Sequence, residues 1–125
     1  MKTISRTLLA SSALVFAVGA WIHTSAFGRL SAALAKSDLP AFFAQGFRTL
    51  WLMDSAVQIV IAIVFAFVAI KPHPASKPVV FLIALIPLAT AVFIYYFIGN
   101  FIGGHLFLVG SVTAILGALL LRPGD

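Results

Sequence analysis

Three long stretches of the chain are almost free of charge. Thr7 to Gly28 spans 22 residues and His23 is its one titratable side chain. Thr49 to Ile70 is also 22 residues, interrupted by Asp54, and Pro78 to Leu121 runs for 44 residues with His105 alone inside it. A helix needs about 20 apolar residues to cross the hydrocarbon core of a bilayer. The three stretches therefore predict one, one and two spans, the last dividing at the Gly99-Asn100 turn signal. The expected spans are 7–25, 49–70, 79–98 and 102–121. The runs are continuously apolar rather than alternating, which selects helices over barrel strands. The expected fold class is an all-α integral membrane bundle of four transmembrane helices in up-and-down topology, one domain over residues 1–125.

The connections differ. Lys71 to Pro78 is a polar hairpin with three prolines, a strong helix stop. The segment from Phe27 to Phe47 is semi-apolar, and Phe27, Leu30 and Leu34 follow helical spacing. It predicts a short interfacial helix between the first two spans, then an early start to the second, with Ser37 and Asp38 as an N-cap before Leu39-Pro40. Pro87 falls midway along the third span, where it withholds a backbone donor. At the start, Met1 to Arg6 and the apolar run behind it have a signal-peptide shape, with Val18-Gly19-Ala20 or Thr24-Ser25-Ala26 as cleavage sites. The run exceeds the usual core of about 7–15 residues, and Trp21 suits an interfacial anchor, so a retained first helix is expected.

Composition agrees with this pattern. The chain is 62% apolar and 9% charged, with a mean hydropathy of +1.16. Soluble domains carry about 45–50% apolar and about 25% charged residues, so a water-soluble enzyme is a poor reading. A net charge of +5 raises nucleic acid as a partner, but the eight basic residues stand singly and form no patch. They sit at the ends of apolar runs. Lys2, Arg6, Lys71, Lys77 and Arg122 share one end of a four-span bundle, and Arg29, Lys36 and Arg48 the other. Five against three places both termini in the cytoplasm of a multi-pass inner-membrane protein. Cys is absent, which excludes disulfides and thiolate chemistry. There is no P-loop, HExxH or GxSxG motif.

Candidate chemistry gathers at one end. His23 closes the first span, Trp51, Asp54 and Gln58 share a stripe early in the second, Tyr95, Tyr96 and Asn100 close the third, and His105 opens the fourth. Up-and-down topology brings all of these to the long-loop end. A carboxylate inside an apolar span is a functional candidate by default. Its expected partner is His23, with His105 second; Arg48, about 240° round the helix from Asp54, is not one. His23 shares the face of Ser12, Phe16 and Gly19, the small-residue kind on which membrane helices meet. Gly103, Gly110 and Gly117 recur every seven residues as a second packing seam. His105 lies about 140° from that seam, so the spacing does not assign it to the interior.

Four readings of this cluster follow. One is a hydrogen-bonded clasp between helices. Another is a ligand-binding or proton-titrating pocket of Asp54, His23, His105, Tyr95, Tyr96, Trp51, Gln58 and Asn100. A third is a metal site of His23, Asp54 and His105, and a fourth a haem held by His23 and His105. The expected function is a non-enzymatic accessory, interaction or small-ligand-binding membrane module, embedded in lipid and associating with other membrane proteins or with copies of itself. The alternative is a metal- or haem-dependent redox protein. His73, between two prolines, reads as a solvated loop residue.

Overall fold

The computed structural model describes residues 2–73 and 76–121, and they are helical without strands. Five helices follow in order: α1 (Lys2–Ser25), α2 (Phe27–Ala35), α3 (Ala41–Ile70), α4 (Ser76–Phe97) and α5 (Ile102–Leu119). Four helical runs have the length and hydropathy to cross a membrane. One is the continuous run Thr3–Ala35, and the other three are α3, α4 and α5. A short helix, α2, follows α1 where one was expected, and it continues the run Thr3–Ala35.

The helix ends show where local chemistry prevails. The cap expected at Ser37 and Asp38 is replaced by Pro40, whose carbonyl accepts from Phe43 N at 2.9 Å and Ala44 N at 3.1 Å. Proline has no donor to lose and a φ already near the helical value. The Ser37 hydroxyl instead donates to Leu34 O at 2.8 Å, closing α2. In the proline hairpin, Pro78 lies in the first turn of α4 rather than in a stop, a position where its missing N–H is harmless. Pro74 falls outside the described residues. Gly99 takes φ +91°, letting its N–H reach Ile94 O at 3.0 Å and end α4 sharply. Pro87 is buried inside a continuous α4.

Packing is a row rather than a ring. α1 lies between α3 and α5, α4 packs on the far side of α5, and α3 and α4 touch only sparsely although they are consecutive. The centre is Phe16 of α1, 2% exposed, set between Phe65 of α3 and Phe107 of α5 with ring centroids 6.0 and 6.2 Å away.

Small residues let α1 and α5 approach. Ser5 and Ser12 donate to the carbonyls of Gly117 and Gly110, each at 2.7 Å, while Leu9 and Phe16 fill the spaces the glycines leave. Of the glycines spaced seven apart, Gly110 and Gly117 thus lie against α1. Gly103 meets only the Phe101 ring of its own turn, because its neighbour Gly104 is the buried one, against Ile94 and Tyr95 of α4. Gly104, Ser111 and Ala118 form a second small stripe on α5, all buried. α4 buries Val80, Ala84, Pro87 and Ala91, small or compact residues on one face.

Candidate functional site

The long-loop end of the molecule carries two polar sets, not one. The larger joins α1 to α3. α3 extends past the end of α1, so its residues 51–58 lie beside the last turns of α1. There the His23 and Trp51 rings stack, with centroids 3.9 Å apart and planes 10° from parallel. Trp51 Nε1 donates to His23 O at 2.7 Å, a carbonyl that also accepts from Ala26 N at 3.3 Å. One nitrogen of the His23 ring, Nδ1, is 2.9 Å from Ser55 Oγ, and the other, Nε2, is 3.6 Å from Asp54 Oδ2. The latter is an ion-pair separation, too long for a hydrogen bond. Asp54 Oδ2 also accepts from Gln58 Nε2 at 2.7 Å.

Each helix contributes by spacing. Trp51, Ser55 and Gln58 fall on one face of α3 at intervals of four and three, with Asp54 beside them. Gly19, one turn before His23, leaves room for Gln58, whose Oε1 would be 2.7 Å from any Cβ there. Gln58 is 3% exposed, whereas the His23 and Asp54 side chains keep 24% and 30% of their surface open. The pair is reachable from outside and the amide behind it is not. Arg48, as its position round the helix implied, turns elsewhere and donates to Ser31 O at 3.3 Å.

The protons of this set fit two arrangements. In one, His23 Nδ1–H donates to Ser55, whose hydroxyl donates to Trp51 O at 3.3 Å. The bare Nε2 then faces a carboxylate, which is favourable only when a proton lies between them. In the other, Ser55 donates to Nδ1 and Nε2–H points at Asp54.

The second set joins α4 to α5. His105 Nδ1 is 2.7 Å from Tyr95 Oη, and its Nε2 is 2.7 Å from Asn100 Oδ1. A neutral ring satisfies both, with the tyrosine hydroxyl donating to Nδ1 and Nε2–H donating to the amide oxygen. His105 is exposed and spends both nitrogens within its own helix pair. Tyr96 is 80% exposed and meets the Phe97 ring, pointing away from Tyr95 and from the bundle.

Of the eight candidate residues, the structure brings together His23, Trp51, Asp54 and Gln58, and separately Tyr95, Asn100 and His105. Among the described residues, no three His, Cys, Asp or Glu side chains converge as a metal site would require. The three metal candidates divide two and one, with His105 held by Tyr95 and Asn100. Ser55 is the member the spacing argument missed. It sits on the Trp51–Gln58 face, but a serine in an apolar helix usually bonds its own preceding turn and draws no notice. Two apolar surface depressions exist elsewhere, one along Ala41, Phe42, Gln45, Gly46, Thr49 and Leu50, the other between α4 and α5 beside Lys77. Neither is lined by His23, Asp54 or His105.

No protein-family model, curated protein or solved structure matches the chain.

Proposed function

We propose that the chain is a multi-pass inner-membrane protein with both termini in the cytoplasm, acting as a non-enzymatic accessory module for other membrane components. One observation carries the reading. The polar side chains of α1 and α3 are spent on one another, as His23 with Ser55 and Asp54, Trp51 with the His23 carbonyl, and Gln58 with Asp54. That is a clasp, and it holds the two longest helices in register. Around it the outer surface is large, apolar and aromatic, with Trp21, Phe42 and Phe97 at 72%, 82% and 76% exposure. Such a surface suits lipid and neighbouring membrane helices. The redox alternative needs His105 beside His23 and Asp54, and the hydrogen bonds of His105 to Tyr95 and Asn100 argue against it.

Elemental analysis by mass spectrometry of the full chain, purified in mild detergent without chelator, separates the two. The clasp reading expects no stoichiometric metal, and an Asp54→Asn variant that accumulates in membranes like the parent, since asparagine still offers Gln58 an acceptor. Near-stoichiometric iron, copper or zinc that disappears in His23→Ala overturns the proposal and installs the metal reading.

A further inference from the structure

We propose that the groove between α4 and α5 binds an anionic phospholipid, with Lys77 taking the phosphate and the groove wall taking an acyl chain. The groove is lined by Lys77, Pro78, Phe81, Leu82, Ala118 and Leu119, so Lys77 is its one charged member. Lys77 Nζ donates to Leu119 O at 3.3 Å. That bond fixes the ammonium over the C-terminus of α5, at the mouth of the groove, and an ammonium has three N–H donors. Two remain for phosphate oxygens. Phe81 lies one turn further along α4 on the same face. Leu82 and Leu119, at 64% and 53% exposure, turn apolar surface outward along the groove.

Charge complementarity selects the occupant. Lys77 belongs to a contiguous basic end. Arg6 Nη2 reaches Ile70 O at 3.4 Å, next to Lys71, and Ser5 reaches Gly117 O, two residues before the carbonyl that Lys77 holds. Both acids of the described residues, Asp38 and Asp54, lie toward the opposite end. A cation at the edge of an apolar groove matches a headgroup joined to a hydrocarbon chain. A free anion would leave the apolar wall unused. Under the proposed orientation this end faces the cytoplasmic leaflet, whose anionic lipids attract basic side chains near the membrane surface.

The inference rests on the membrane reading, so that reading is tested alongside it. Alkaline carbonate should leave the full chain in the membrane pellet; release into the supernatant overturns the membrane reading and this site together. With the chain retained, native mass spectrometry of detergent-solubilised protein follows bound lipid during titration with phosphatidylglycerol or phosphatidylcholine of identical acyl chains. Inorganic phosphate competes in a third arm. Phosphatidylglycerol should bind more tightly, Lys77→Gln should weaken it about five-fold, the worth of one basic side chain at an anionic surface, and Lys77→Arg should keep the preference. Equal binding of the two lipids, an unchanged preference in Lys77→Gln, or displacement by millimolar phosphate overturns the site. Because the comparison is between lipids within each variant, a general loosening of α4 in Lys77→Gln does not imitate the result.

Discussion

A Cβ on Gly110 would lie 2.7 and 2.8 Å from two atoms of the Phe16 ring, and that ring is wedged between Phe65 and Phe107. Nothing there can retreat. On Gly19 the obstructing atom is Gln58 Oε1, also at 2.7 Å, but it ends a flexible side chain. On Gly46 a Cβ meets nothing within 4 Å. Alanine substitution at the three positions should therefore grade. Gly110→Ala should lose several kcal/mol, beyond the usual overpacking range of about 1–3 kcal/mol because both neighbours of the ring are fixed. Gly19→Ala should lose about 0.5–1.5 kcal/mol as Gln58 swings off Asp54. Gly46→Ala should be neutral, or gain up to about 1 kcal/mol from helix propensity. Thermal unfolding of the three variants in one detergent checks the order. Damage at Gly46 equal to that at Gly110 would show that helical glycines here matter for reasons other than close packing. The seven-residue spacing made Gly110 and Gly117 visible in advance. It could not choose between Gly103 and Gly104, because adjacent glycines look alike to a periodicity argument and only the partner helix distinguishes them.

Helices of this chain are held unequally. α2 has nine residues, too few to be stable alone in water, and buries none of them fully. Its apolar side chains Phe27, Leu30 and Leu34 are half-buried, as their spacing implied. What ties it to α3 is modest packing and the Arg48 guanidinium on Ser31 O at 3.3 Å. Arg48→Ala should thus speed amide exchange in residues 27–35 by about five-fold or more, the equivalent of about 1 kcal/mol, the typical net worth of one intramolecular hydrogen bond. The melting temperature of the bundle should stay within error. Hydrogen exchange followed by mass spectrometry reads both regions at once, and equal acceleration in α1 would mean that α2 and α1 open as one unit. By contrast α1 and α5 share two serine-to-carbonyl bonds and interlocking glycines. Replacing Ser5 and Ser12 together by alanine should cost about 1–2 kcal/mol, twice the typical value of one interhelix bond in a membrane. Thermal unfolding of the double variant against each single one measures it, and no loss would place the hold entirely in packing.

At the scale of the whole molecule the row α3, α1, α5, α4 explains why one polar end holds two sites. Up-and-down topology sends His23, Asp54, Tyr95 and His105 to the same end, since that follows from counting spans. Which helices become neighbours does not follow from counting. It depends on where small residues meet large side chains, and one stripe of α1 serves two partners at different levels, Ser12 and Phe16 meeting α5, Gly19 and His23 meeting α3, with the Phe16 ring reaching Phe65 of α3 as well. α1 thereby separates α3 from α5, and His105 stays with Tyr95 rather than joining Asp54. The same four-pass arrangement makes a prediction about orientation that side-chain geometry leaves untouched. Under the proposed four-pass insertion the loop through Ala35 and the hairpin through His73 lie on opposite sides of the membrane, and the proposed orientation, drawn from the charge bias, puts the hairpin in the cytoplasm. Both residues are exposed and the chain has no cysteine, so Ala35→Cys and His73→Cys each introduce a single reactive thiol. In intact cells a membrane-impermeant maleimide should label Ala35→Cys and leave His73→Cys unlabelled until the membrane is permeabilised. The reverse pattern would invert the molecule and move the Lys77 groove to the outer leaflet. Labelling of both in intact cells would break the four-pass topology itself, because an odd number of crossings between those two positions could no longer hold.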